Sequence, residues 1–231
     1  MAQSDLTAGG LTGELSGMYR ERFPAATRER RLALWRTLHR GWFSRFVGPQ
    51  DRVLEIAPGY CEFLNALDPR QERVGVDLNQ DTASFAAPGI TIHNTSAENL
   101  AEVLPAGHFD VAFTSNFFEH CRSREQVLKI MRATRQVLRP GGRFLILGPN
   151  FRYCAGNYFD YFDHHLPLTD QSMQEALVLA GFEIERCWPR SLPFTMRGKL
   201  PSWPWLVALY LKLPPLWRLF GAQFFVVARR S

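Results

Sequence analysis

From Val53 onward the chain alternates short apolar runs with helix-patterned stretches, and few folds accept that rhythm. Residues 53–57 read as a strand, followed by a helix from about Tyr60 to Leu67. Residues 73–78 read as a second strand ending at Asp77, with a weak helix around Asp81 to Ala87. Residues 90–93 and 108–115 give a third and a fourth strand. Ser123 to Leu138 has helical spacing, with Val127, Ile130, Met131, Thr134, Val137 and Leu138 on one face. Pro140-Gly141-Gly142 marks a turn, and residues 143–147 give a fifth strand. Strands that alternate with helices imply a parallel, doubly wound α/β sheet with right-handed crossovers. Thr169 or Asp170 caps a further helix through Ala180, which ends at Gly181. Residues 182–187 and 224–228 complete a mostly parallel seven-stranded sheet as an antiparallel pair.

In such sheets, ligands sit at the carboxyl ends of the strands, where tight turns meet helix N-termini. The first strand ends in a corner at Ala57-Pro58-Gly59, where glycine permits close backbone approach. Four strand ends converge on that edge. They offer Glu55, Ala57, Gly59 and Cys61; then Asp77; then Ser96, Ala97 and Glu98; then Asn116 and the aromatics after it. Asp77 lies 18 residues past Gly59, placed to accept hydrogen bonds from ribose hydroxyls or, more plainly, to cap the following helix. The corner lacks the G-x-G-x-x-G spacing of a pyrophosphate site, so a nucleoside without phosphates fits better than a dinucleotide.

Residues 1–18 read as a flexible tail, 19–48 as a helical segment ended by Gly48-Pro49, and 49–231 as the main domain. The segment repeats Leu32, Leu34, Trp35, Leu38, Trp42, Phe43 and Phe46 at roughly helical spacing, with arginines on a solvated face. The net charge of +5 comes from 27 basic and 22 acidic residues, and all but three of the bases are arginine. Such an arginine excess can follow from coding bias, and no basic stripe with aromatics flanks the corner, so nucleic acid is disfavoured. The four cysteines have no CxxC spacing, which points to reduced thiols with no zinc site and no disulfide framework. No signal peptide and no run of 18 apolar residues is visible, so the expected location is the cytoplasm. Residues 189–222 are too long for a plain hairpin loop. Their Trp203, Trp205, Tyr210 and Trp217, with Arg197, Lys199, Lys212 and Arg218, make an interfacial pattern. They suit either a lid or dimer surface over the acceptor site, or peripheral contact with the inner face of a membrane.

Taken together, VLEIAPGYC (53–61), GVDLN (75–79), TSAENL (95–100), FDVAFTSNFFEH (109–120), RQVLRPGGRFLILGPN (135–150) and HHLPLTDQSMQEALVLAGFEIE (164–185) resemble the ordered motifs of class I S-adenosylmethionine-dependent methyltransferases of the type 11/12 kind. The resemblance covers about residues 50 to 190. It implies S-adenosylmethionine as cofactor and no metal. It places Gly59 and the backbone of Ala57 to Cys61 along the methionine part, with Glu55 orienting that loop or the amino group. Asp77 would hold the ribose and Leu78 would lie against the adenine. Ser96 and Ala97 would meet the adenine edge, and Asn116 and Phe117 would close the methionine side. Ala57 and Cys61 stand where two glycines are usual, and Ser96 where an aspartate is common.

A base for an oxygen or nitrogen acceptor is sought among His120, His164 and His165. The stretch after the fifth strand carries Tyr153, Tyr158, Asp160 and Tyr161, and is the candidate acceptor wall. The leading expectation is methyl transfer to a small-molecule, saccharide or lipid-linked acceptor. A nucleotide-dependent oxidoreductase is disfavoured by the missing phosphate glycines. A degenerate methyltransferase fold acting as a binding or partner subunit is the non-enzymatic alternative. Oligomeric state is not legible.

Overall fold

The computed structural model describes residue 17, residues 21–194 and residues 203–231. The tail expected over residues 1–18 lies outside the described residues apart from Gly17, as do Arg197 and Lys199 of the long segment. Among the described residues seven strands form one sheet. They are β1 (Val53–Ile56), β2 (Arg73–Asp77), β3 (Ile90–Asn94), β4 (Phe109–Ser115), β5 (Leu138–Pro149), β6 (Phe182–Trp188) and β7 (Gln223–Arg230). Their order is β3-β2-β1-β4-β5-β7-β6. β1 to β5 are parallel, and β7 runs antiparallel between β5 and β6. The chain walks outward from β1 through β2 to β3, then restarts at β4 on the other side. The switch point therefore falls between β1 and β4, the place where open sheets bind ligands.

Period-two alternation along the strands feeds two cores. Leu54 and Ile56 of β1 face one side with Phe144, Val226, Ile130 and Met131. Val53 faces the other with Phe113, Leu145 and Phe225. In chain order the first helices are α1 (Arg28–Gly41), α2 (Glu62–Ala66), α3 (Leu100–Val103) and α4 (Arg124–Val137). α4 covers the first side through Val127, Ile130, Met131 and Val137. The Ser123 hydroxyl caps α4 by accepting from the Gln126 N–H. The second side is covered by α1, whose Leu34 and Leu38 join Trp42 and Phe43 against the sheet. The helix stops at Gly41, short of the Gly48-Pro49 expected from sequence, because Trp42 leaves the helical region at φ −141°. That turn lets Trp42 and Phe43 both bury, with Trp42 stacked on Phe43 at 5.4 Å and against Phe225 at 4.7 Å.

Other local signals behave as their chemistry requires. Arg139 to Gly142 loops out of the β4–β5 pairing, which jumps from Phe109↔Leu138 to Val111↔Arg143, with Gly141 at φ +75°. The expected Pro-Gly-Gly turn is thus a bulge inside a longer strand. After the short α5 (Phe151–Cys154), α6 (Asp170–Leu179) opens on a reciprocal Thr169–Ser172 cap and ends before Gly181 at φ +89°. The weak helix near Asp81 is a 3-10 helix, Gln80–Phe85. Between β6 and β7 lie α7 (Pro204–Leu211) and α8 (Pro214–Phe220). Leu211 and Trp217 are buried in the second core, so the long segment is packed on the domain. Asn150, fully buried at the end of β5, donates to Asp170 Oδ1 and to the Pro189 carbonyl, which pins that segment to the C-terminal edge of the sheet.

Candidate active site at the carboxyl edge of the sheet

The corner after β1 holds three left-handed residues in alternation. Ala57, Gly59 and Cys61 have φ of +57°, +53° and +56°. Only the middle one is glycine. The backbone path of a three-glycine loop is therefore kept with two side chains that resist it, at roughly 1–2 kcal/mol each. Cys61 is buried, with Sγ facing the Thr82 carbonyl at 3.6 Å. Ala57 is not anchored in this way. Replacing Ala57 with glycine raises unfolding free energy by about 1 kcal/mol, once the added chain entropy of glycine is deducted. Cys61→Gly gives no such gain, because it empties a packed site. Urea denaturation of the two variants checks the contrast.

Asp77 ends β2 beside this corner. Its Oδ2 accepts the Gly59 N–H at 2.9 Å and its Oδ1 accepts the Asn79 N–H at 2.8 Å. Burial raises its pKa, and these two backbone bonds oppose the rise. Leu78 is 58% exposed although apolar. The Ser96 hydroxyl accepts the Glu98 N–H and caps a 3-10 turn, which leaves Ala97 buried behind it. Asn116 follows β4 at φ +50°, exposed, donating to the Ser115 hydroxyl. Phe117 is half-buried against the first core. Ile56 pairs with Thr114 across the β1–β4 boundary, so the corner and Asn116 are side by side.

Glu55 points into the second core with Val53. It is buried, its Oε2 has no hydrogen-bond partner, and burial with the nearby Glu62 charge holds its pKa well above the usual carboxylate range. A Cβ built on Gly59 meets nothing within 4 Å, so the space above the corner is open. An orphaned carboxyl, an open backbone approach, a carboxylate at the β2 end and an exposed apolar Leu78 fit an amino-acid-bearing nucleoside. Four dispersed groups of this kind do not make a phosphate site.

The second group of residues lies just past β4. The His120 Nδ1 is 2.9 Å from the Asp163 carbonyl and 3.3 Å from its Oδ2. A carbonyl only accepts, so Nδ1 carries a proton, and of the two neutral tautomers the one with its lone pair on Nε2 is the one that fits. Asp163 is itself gripped by Arg22 through bonds of 2.9 and 3.1 Å, and Arg22 also lies over the Tyr161 ring at 5.0 Å. His164 is buried and stacked on Tyr161, and burial, then the charge of His120, pushes its pKa down to about 4. His164 therefore remains neutral, as a packed ring. His165 is exposed, and its backbone N–H donates to the Glu119 carbonyl at 2.8 Å.

Glu119 is fully enclosed, and burial raises its pKa to about 7. Glu119, His120 and His164 bring one ligand-type atom each to within 4.8 Å of one another, a grouping that no spacing in the sequence announced. A carboxyl with a folded pKa above its unfolded value favours the native state only while protonated. The Glu119 contribution to stability is therefore full below about pH 4.5, falls as pH climbs to about 7 and is absent above that. Glu119→Gln should stabilise the protein by about 3 kcal/mol at pH 8 and leave it unchanged at pH 4, as read by denaturant titration at both values.

The expected acceptor wall divides. Tyr161 is half-exposed beside His164, Asp160 is exposed, and Tyr153 is exposed under the Arg190 guanidinium at 4.6 Å. Tyr158 does not reach the surface. It is fully buried and its hydroxyl donates to the Leu166 carbonyl at 2.6 Å, so it braces the loop from behind. Sequence reasoning missed Arg22, the contact of Asp163 with His120, and Phe194. Phe194 reaches back from the segment after β6 to within 5.5 Å of the Tyr161 ring. The 141-residue separation of Arg22 from Asp163 left no local signal.

Residues 54–146 match the family model described as a methyltransferase domain. Among solved structures, a SAM-dependent methyltransferase from Archaeoglobus fulgidus is 20% identical, with 93% of this chain and 99% of that chain covered and a TM-score of 0.62. An S-adenosylmethionine-dependent methyltransferase from Mesorhizobium loti is 18% identical, with 84% and 98% covered and a TM-score of 0.58. The cyclase SpnF is 15% identical, with 79% and 75% covered and a TM-score of 0.56. No curated protein matches the chain. The strand order, the corner and the family match agree: residues 54–146 carry the pattern of a methyltransferase domain, and the chain shares the fold of the S-adenosylmethionine-dependent methyltransferases it resembles.

Proposed function

We propose that this protein methylates a hydroxyl oxygen on a small or amphiphilic acceptor, with His120 as the base and Asp163 as its positioning residue. S-adenosylmethionine, when bound, supplies a methyl group on a sulfonium that leaves as a neutral thioether. Glu55, Gly59, Asp77, Leu78, Ala97 and Asn116 are the residues we assign to holding it, with Glu55 toward the amino group and Asp77 toward the ribose. The observation that supports the choice of oxygen is the His120–Asp163 bond, which puts a proton on Nδ1 and so leaves Nε2 as the basic nitrogen whenever the ring is neutral. A hydroxyl must lose its proton as its oxygen attacks, whereas a neutral amine attacks with its own lone pair. Tyr161 and Asp160 are the residues we assign to the acceptor, next to the His120–His164 pair. Much of the rate then comes from holding the nucleophile in line, as effective molarities allow.

The degenerate-fold alternative is supported by the two non-glycine residues at left-handed corner positions. The match to a cyclase supports it as well, since one fold hosts more than one reaction. Calorimetry with S-adenosylmethionine, followed by methyl-label transfer to hydroxyl and amine acceptors, separates the readings. Saturable binding with transfer to hydroxyl acceptors is the expected result. Absence of binding at millimolar cofactor favours the degenerate fold, and transfer confined to amines overturns the role of His120.

A further inference from the structure

α7 is apolar around its whole circumference, in the sequence Pro-Trp-Leu-Val-Ala-Leu-Tyr-Leu, and such helices are normally buried. Here one side is. Leu211 and Trp217 join the core around Trp42, and α7 lies against α1 near Gly41. The other side is open. Trp203, Trp205 and Leu219 are 53%, 62% and 69% exposed, with Leu209, Leu213 and Phe220 also on the surface. The Trp203 and Trp205 rings stack at 5.8 Å. This is a contiguous stretch of chain with apolar side chains turned outward, and it calls for a cover.

Charge identifies the cover. Residues 30–50 and 187–222 together hold ten of the 27 basic residues and none of the 22 acidic ones. The remainder of the chain, with 17 basic and 22 acidic residues, is net acidic. Lys212, just after α7, and Arg218, on α8, are exposed, and Arg36, Arg40 and Arg45 are exposed on and just after α1, against which α7 packs. An exposed tryptophan pair in a segment that carries arginine and lysine and no acid suits the headgroup level of an anionic bilayer. A second copy seated on this face would bring two acid-free basic surfaces together, which like-charge repulsion opposes.

Position gives the surface a purpose. The segment leaves β6 and rejoins β7 at the carboxyl edge of the sheet, and its Phe194 packs on Tyr161 and His164. Phe162, next to Tyr161, is 90% exposed on the same loop. We infer that the face formed by residues 203–220 docks on an anionic membrane surface and so presents the candidate acceptor wall to a lipid-borne or interfacial hydroxyl. The docking stands on the surface alone; the acceptor class rests on the function proposed above.

Co-sedimentation with phosphatidylglycerol–phosphatidylcholine vesicles tests the docking without any turnover. The protein should pellet with these vesicles at low salt, pellet far less with phosphatidylcholine alone, and be released at about 1 M salt, where the Debye length shrinks to about 3 Å. The pairs Trp203→Ser with Trp205→Ser, and Lys212→Glu with Arg218→Glu, should each weaken vesicle binding about tenfold or more while calorimetric cofactor binding is unchanged. Failure of the wild type to pellet with anionic vesicles overturns the docking, as does binding that neither pair of substitutions weakens. A concentration-dependent dimer in sedimentation velocity, lost in the tryptophan pair and accompanied by no vesicle binding, assigns the face to a second copy instead. Asp77→Ala should keep full vesicle binding, so a failed cofactor site and a failed membrane surface give different results.

Discussion

Asp77→Ala should lower the affinity for S-adenosylmethionine about a hundredfold in calorimetry. Charge-assisted hydrogen bonds contribute about 1.5–3 kcal/mol each. The carboxylate has a lone pair left on each oxygen after binding the Gly59 and Asn79 N–H groups, enough for both ribose hydroxyls. Loss of about 3 kcal/mol corresponds to that factor. The substitution also releases the Gly59 N–H, so the corner itself loosens. Asp77→Asn is not a mild control. An amide offers one oxygen, and its NH₂ would confront the N–H of Gly59 or Asn79. We expect it to lose nearly as much. An affinity within about threefold of wild type for both variants would place the cofactor elsewhere.

His120→Ala should reduce kcat by about 10²–10⁴ on a hydroxyl acceptor and leave cofactor affinity intact. The rate–pH profile should lose the limb that reports the base, and added imidazole should restore part of the rate. Those two readouts separate chemistry from packing, since a merely structural ring gains nothing from free imidazole. Asp163→Asn should act more weakly, because the Asp163 backbone carbonyl still holds Nδ1 at 2.9 Å. Its main effect is to release Arg22 from its paired bonds. Unchanged kcat in His120→Ala would leave the reaction without a histidine base.

The sheet was legible because each strand is a short apolar run bounded by turn residues, and that pattern is local. The strand end at Asp77, the cap at Thr169 and the stop at Gly181 needed only neighbouring residues, and the structure keeps all three. The bulge at Arg139 to Gly142 was visible as a turn but not as part of a strand, since pairing partners do not show in one segment. The premature end of α1 depended on where Trp42 could be buried, which is a tertiary matter. At the corner, the departures at Ala57 and Cys61 were plain as residue types. What sequence could not show is that the backbone holds the glycine conformation there regardless. The cluster around His120 was the least legible part. His120, His164 and Tyr161 stood out by type, but the clamp that orients His120 runs through Arg22, and a contact of that range follows only from the completed fold.

The strand order has one more consequence, for biogenesis. β7 is the final strand of the sheet in sequence and yet sits inside it, pairing with β5 on one side and β6 on the other. During synthesis, β5 therefore waits with an open edge while residues 150–222 are made, and β6 has no neighbour until residues 223–230 emerge. Phe225 and Val227 then complete the aromatic layer on the face where Trp42 and Phe43 pack. A nascent chain stalled before this point presents both an unpaired edge and an unfilled aromatic layer, the two features that recruit chaperones and promote aggregation. Closure of the sheet is thus deferred to its last strand.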